Sequence, residues 1–152
     1  MKVLMVCLGN ICRSPMAHGI LRAKIKEKGL DWEVDSAGTG HWHIGEAPDS
    51  RAAAAASAGN IDISDLRARQ LKPEDFYNYD WILVMDDSNY RNAQTIAPDD
   101  ATAHVQRLTD FHPDAEVNRV PDPYLEGGFD HVFQLVHTAV DHWIDAQIEK
   151  NS

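Results

Sequence analysis

The chain has 152 residues, 43% hydrophobic and 25% charged, which suits one globular domain over residues 1–152 with a core of its own. Its formal net charge of −10 argues against nucleic-acid or anionic-membrane partners, since both need broad basic surfaces. No apolar run nears the length of a membrane span, and polar residues after Val6 interrupt what would be a signal-peptide core, so a cytoplasmic location is expected.

Residues 2–6 read as a buried strand, because Val3, Leu4, Met5 and Val6 are apolar without alternation. A loop follows; Pro15 suits the first turn of a helix and Ser14 its cap. Met16, Ile20, Leu21 and Ile25 recur at helical spacing up to Gly29, a suitable C-terminal stop. Residues 32–36 alternate as a second strand, and residues 37–48 form a loop rich in Gly, His and Trp. Residues 49–58 predict a helix on an alanine run that Gly59-Asn60 ends. Residues 61–71 connect it to a short helix opening at Lys72-Pro73-Glu74-Asp75.

Residues 81–85 are a third buried strand, after which Asp87 or Ser88 is expected to cap a helix that Pro98 breaks. Residues 105–108 read as a fourth strand. Two prolines flank Asp122 in Val120-Pro121-Asp122-Pro123-Tyr124, which predicts a stiff loop. From Gly128 a last helix carries Phe129, Val132, Phe133, Val136, Val140, Trp143, Ile144 and Ile148 as a stripe of period 3.6. Strands alternating with helices predict an α/β fold, a parallel sheet covered on both faces, with its site at the carboxyl ends of the strands.

The stretch Val6-Cys7-Leu8-Gly9-Asn10-Ile11-Cys12-Arg13-Ser14-Pro15 joins the first strand to the first helix and holds both cysteines. A cysteine attacks as thiolate, and three features here favour that form on Cys7: a helix N-terminus, the N–H groups of a curled loop, and Arg13. The same donors, on Leu8, Gly9, Asn10, Ile11, Cys12, Arg13 and Ser14, would cradle a phosphate or similar oxyanion, with Arg13 offering a bidentate fork. Gly9 and Asn10 are the residues expected at positive φ as the loop wraps. The Ser14 hydroxyl is placed to hydrogen-bond the Cys7 sulfur.

This stretch, together with Asp35-Ser36-Ala37-Gly38-Thr39, Arg69-Gln70-Leu71, Met85-Asp86-Asp87-Ser88-Asn89 and Asp122-Pro123-Tyr124, resembles the low-molecular-weight protein tyrosine phosphatases over nearly the whole chain. The resemblance implies a three-layer, four-stranded parallel sheet of phosphotyrosine phosphatase I-like, Rossmann-like type. It also implies hydrolysis of phosphotyrosine and aryl phosphates through a cysteinyl-phosphate. On it, Cys7 is the nucleophile, Arg13 the phosphate clamp, and Asp122 the general acid and then base. Asn10 and Ser36 resemble a pair that holds the loop, with Ser14 beside them, and Asp86 orients Arg13. Trp42 and Tyr124 match aromatics that wall the pocket for a phenyl ring. Cys12 matches the partner of a reversible disulfide that guards the nucleophile. The expected partner is a phosphotyrosine-containing protein or peptide.

The chain departs from the family pattern at three places: Leu66 stands where many members have a histidine, Leu125 where many have a second tyrosine, and His43 beside Trp42 is a local variant. No histidine or cysteine cluster has zinc-like spacing, so no metal and no cofactor are expected. Arsenate reductases with this type of loop need relay cysteines beyond Cys7 and Cys12, which the chain lacks. A phosphotyrosine-binding module without turnover would not need Cys7, Arg13 and Asp122 together.

Overall fold

Val3, Leu4, Met5 and Val6 are fully buried because their strand, β1 (Lys2–Cys7), lies inside the sheet with partners on both edges. In the computed structural model, which describes residues 1–151, β1 is flanked by β2 (Glu33–Gly38) and β3 (Trp81–Val84), and β4 (His104–Arg107) adds to β3. The order is β2-β1-β3-β4 and every pairing is parallel. Val3 and Met5 face one apolar cluster, and Leu4 and Val6 face the other. The pleat therefore explains why a strand without alternation is correct here: both faces are covered.

Helices α1 (Arg13–Glu27), α2 (Ser50–Ala58) and α6 (Phe129–Lys150) cover the first face, and α3 (Asp75–Asn78) and α4 (Asp87–Ile96) the second. The α5 turn (Pro123–Glu126) lies at the site. Fully burying each aliphatic side chain of the α6 stripe contributes roughly 1.5–3 kcal/mol. Trp143 on α6 meets Trp32 at 6.1 Å and Trp81 at 5.8 Å, both edge to face. The fold is thus the expected three-layer, Rossmann-like α/β architecture.

Four local expectations are corrected. Cys12, not Ser14, stands at the α1 cap position, and it makes no side-chain cap bond. Asp86, not Asp87 or Ser88, caps α4 by accepting from the Asn89 N–H. β4 begins one residue early at His104, and Leu108 turns into a short 3-10 segment, Leu108–Phe111. Pro123 opens the short α5 helix, because Asp122 caps it and proline at the first helical position has no N–H to strand. Among the described residues, no helix is long and apolar enough to cross a membrane.

Candidate active site

The loop after β1 curls back against the end of β2. The Thr39 and Gly40 N–H groups donate to the Cys7 and Leu8 carbonyls at 2.9 and 2.8 Å. The approach is so close that a Cβ on Gly38 would stand 2.7 Å from the Leu8 carbonyl oxygen. Asn10 takes the left-handed conformation, φ 57°, as expected. Gly9 does not; the site needs it small because His43 packs on it, 3.1 Å from where a Cβ would be. Among the described residues, none of the N–H groups of residues 8–13 donates to a protein acceptor. They stand together with the α1 N-terminus at the carboxyl end of β1, an arrangement that binds anions.

Cys7 is buried, and its sulfur lies 3.0 Å from the Ser14 hydroxyl. The Asn10 side-chain N–H donates to that same hydroxyl oxygen at 2.7 Å. Since Ser14 accepts from Asn10, its own proton is free to point at the sulfur. The Asn10 carbonyl oxygen in turn accepts from the Arg69 backbone N–H at 3.0 Å. Ser14 does not cap α1; its hydroxyl lies at the sulfur.

Arg13 is 3% exposed and spans the site. One of its amino groups donates to Asp86 at 2.7 Å and to the Val120 carbonyl at 3.0 Å; the other stands 3.9 Å from the Asp122 carboxylate. Burial works against its charge, but Cys7, Asp86 and Asp122 outweigh this and hold it above its ordinary range. Val120 also donates to the Met85 carbonyl at 2.8 Å, so the Asp122 loop is tied to the end of β3. Asp122 accepts from the Tyr124 N–H at 3.1 Å, and its own N–H donates to Glu126 at 3.2 Å.

Cys7, Leu8, Gly9, Ile11, Cys12 and Arg13 floor one cleft, and Trp42, His43, Asp122, Tyr124 and Leu125 wall it. It encloses about 610 Å³ including its open mouth, room for an aryl phosphate. Trp42 and Tyr124 are more than half exposed, so their rings stand at the rim. Arg51 lies 5.5 Å over the Tyr124 ring and 4.7 Å over Phe129, which steadies that side of the cleft. Cys12 is pushed up to about 12, chiefly by burial and then by Asp49, Cys7 and Asp122, so it stays a thiol at neutral pH.

Most residues expected in the site converge there, and Asp86 pairs with Arg13. Ser36 is the exception. Its hydroxyl pairs with His18 of α1 at 3.0 Å, while Asn10, expected to share the loop's support with it, turns to Ser14 and Arg69. Leu66 is buried in the apolar cluster. His18, buried and pushed down to about 4 chiefly by desolvation, is neutral at neutral pH. No sequence pattern assigns a part to His18, Val120 or Arg69. Arg69 stands in the Arg69-Gln70-Leu71 stretch, but the contact of its backbone with Asn10 crosses 59 residues and no spacing announces it.

Residues 2–152 match the low molecular weight phosphotyrosine protein phosphatase family. The low molecular weight protein-tyrosine-phosphatase YfkJ of Bacillus subtilis is 40% identical over 151 residues, 98% of this chain and 96% of that protein. Its crystal structure superposes with a TM-score of 0.93, covering 100% of this chain and 96% of the other. The low molecular weight phosphotyrosine protein phosphatase of Schizosaccharomyces pombe is 41% identical, covering 89% of this chain and 90% of its own. A protein tyrosine phosphatase of Entamoeba histolytica, crystallised as a product-state mimic, gives a TM-score of 0.91 at 34% identity, covering 98% of this chain and 96% of its own. The anion cradle at the end of β1 therefore sits in a chain that belongs to the low molecular weight phosphotyrosine protein phosphatase family.

Proposed function

We propose that the protein, as one domain over residues 1–152, hydrolyses phosphotyrosine in proteins or peptides through a cysteinyl-phosphate. The observation that carries this reading is the meeting of Cys7, Arg13 and Asp122 in one cleft with Trp42 and Tyr124 at its rim. The dianion takes the N–H groups of residues 8–13 and the Arg13 fork, which together offset its charge at each stage. The Cys7 thiolate attacks phosphorus from the floor, and the bond to the tyrosyl oxygen breaks. Asp122 gives its proton to that leaving oxygen. A dianion seated against this carboxyl is tolerated best when the carboxyl carries a proton, and that proton is what the leaving phenolate needs.

In the second step the Asp122 carboxylate takes a proton from water as the water oxygen attacks phosphorus. The sulfur–phosphorus bond breaks, and Ser14 stabilises the returning thiolate with its hydrogen bond. Inorganic phosphate leaves. Trp42 and Tyr124 receive the phenyl ring and give the cleft a depth that phosphotyrosine fills and shorter phosphoserine does not. Cys12 guards the nucleophile: when Cys7 is oxidised to a sulfenic acid, the Cys12 sulfur displaces hydroxide to form a reducible disulfide. Two free thiols suit a reducing compartment, and we place the protein in the cytoplasm.

The test is turnover of phosphotyrosine and p-nitrophenyl phosphate by purified protein in the presence of a chelator. Cys7→Ser is expected to abolish it and to retain phosphotyrosine peptides in a pull-down. Undiminished turnover by Cys7→Ser would sink the mechanism.

A further inference from the structure

We propose that Arg69 is a positioning residue: clamped by Asp75 and Asp35, it fixes which way the Asn10 amide faces and so whether the Cys7 sulfur receives a hydrogen bond. The segment that carries it lies outside the four strands and is stitched to the end of β2. Gly38 donates to the Arg69 carbonyl at 2.9 Å and accepts from the Leu71 N–H at 2.7 Å. The side chain is held by three hydrogen bonds to two carboxylates. Both amino groups reach the two oxygens of Asp75, at 3.0 and 3.1 Å, and Nε reaches Asp35 at 3.1 Å. Asp75 is 1% exposed and also accepts from the Lys72 N–H, so it is itself immobile.

Burial opposes the charge on Arg69, yet the two carboxylates hold it above its ordinary range. Only a planar guanidinium can bridge a bidentate carboxylate and a second one at once; a lysine ammonium cannot.

The consequence runs through Asn10. An amide side chain has an accepting end and a donating end, and the Arg69 N–H takes the accepting end. The donating end is left for Ser14, and the Ser14 proton is left for Cys7. If Asn10 flipped, its oxygen would take the Ser14 proton and the sulfur would lose its donor. Charge does not carry the effect, because Arg69 is already neutralised by two carboxylates.

The test is a double-mutant cycle read by the pH profile of Cys7 alkylation with iodoacetamide. Arg69→Met is made in the native and in the Ser14→Ala background, with folding checked by circular dichroism. Arg13, Cys12, His43, Asp86 and Asp122, the other titratable groups around the sulfur, are the same in every variant. Arg69→Met is expected to move the profile to higher pH in the native background and to leave it unmoved once Ser14 is alanine. With phosphotyrosine it is expected to lower kcat about tenfold, the scale of one hydrogen bond to a charged group, with KM little changed. Arg69→Lys should fall between. Should Arg69→Met fail to fold, Asp75→Asn enters the same cycle, since it keeps the side chain's size but leaves one accepting oxygen where the clamp uses two.

An unmoved profile in a folded variant overturns the proposal, and so does an equal shift in both backgrounds. The kinetic readout rests on the phosphatase reading, but the alkylation readout needs no turnover. A native protein without phosphatase activity but with the Ser14-dependent shift would overturn that reading and leave this one standing.

Discussion

Arg13 and Asp86 share a 2.7 Å charge-assisted hydrogen bond, and the second oxygen of Asp86 caps α4 through the Asn89 N–H at 2.7 Å. One carboxylate thus fastens Arg13 to the helix that follows β3. The two duties separate by substitution. Asp86→Asn keeps a good cap and loses the charge; it is expected to raise KM for aryl phosphates several-fold at nearly native stability. Asp86→Ala loses the cap as well, a further cost of about 1 kcal/mol. Urea unfolding beside steady-state kinetics separates them, and equal destabilisation by both variants would contradict the division.

On the proposed mechanism Asp122 is the acid for the leaving oxygen, so its removal should be felt in proportion to the leaving group's need. Asp122→Asn is expected to slow phenyl phosphate by roughly 10²–10⁴-fold and p-nitrophenyl phosphate much less. Turnover across a series of substituted phenyl phosphates gives the comparison. An equal loss across the series would remove Asp122 as the acid.

Cys12 stays protonated at neutral pH, with burial the main cause. In the proposed role of resolving an oxidised Cys7, it is expected to react faster as pH rises. Protein treated briefly with peroxide should regain activity with dithiothreitol, and Cys12→Ser should lose that recovery. Equal recovery by the variant would leave Cys12 as packing alone.

His18 titrates at about 4 in the folded chain against 6.5 ordinarily, burial being the chief reason. Between those values the unfolded chain binds the extra proton and the folded one does not. Its contribution to stability is complete above pH 6.5 and falls as pH drops towards 4, by about 3 kcal/mol across the window. His18→Gln is expected to flatten the pH dependence of unfolding free energy between about pH 7 and pH 5. A slope unchanged by the substitution would show that other groups set it.

Period and punctuation made much of the molecule legible. Apolar runs without alternation marked β1 and β3 because both sheet faces are covered, and the α6 stripe followed from its 3.6-residue repeat. Cys7 to Ser14 read as an anion cradle because strand, curl and helix are contiguous in the chain. What stayed hidden depends on contacts across long loops. Arg13 to Val120 spans 107 residues and Arg69 to Asn10 spans 59. Caps were misplaced for a related reason. Ser14 has the chemistry of a cap, but a sulfur within reach claims its hydroxyl, and Asp86 caps α4 because Arg13 pulls the carboxylate to that end of β3.

Four tryptophans divide three to one in this chain. Trp32, Trp81 and Trp143 touch within the sheet's apolar flank, while Trp42 stands in the rim, stacked on His41 at 5.4 Å. The three inner rings have no access to a ligand in the cleft, and the outer one has. Emission at the red edge, where the solvated indole dominates, therefore turns Trp42 into a native optical gauge of cleft occupancy. The inner trio meanwhile reports folding, so binding and unfolding can be followed in one sample without a label.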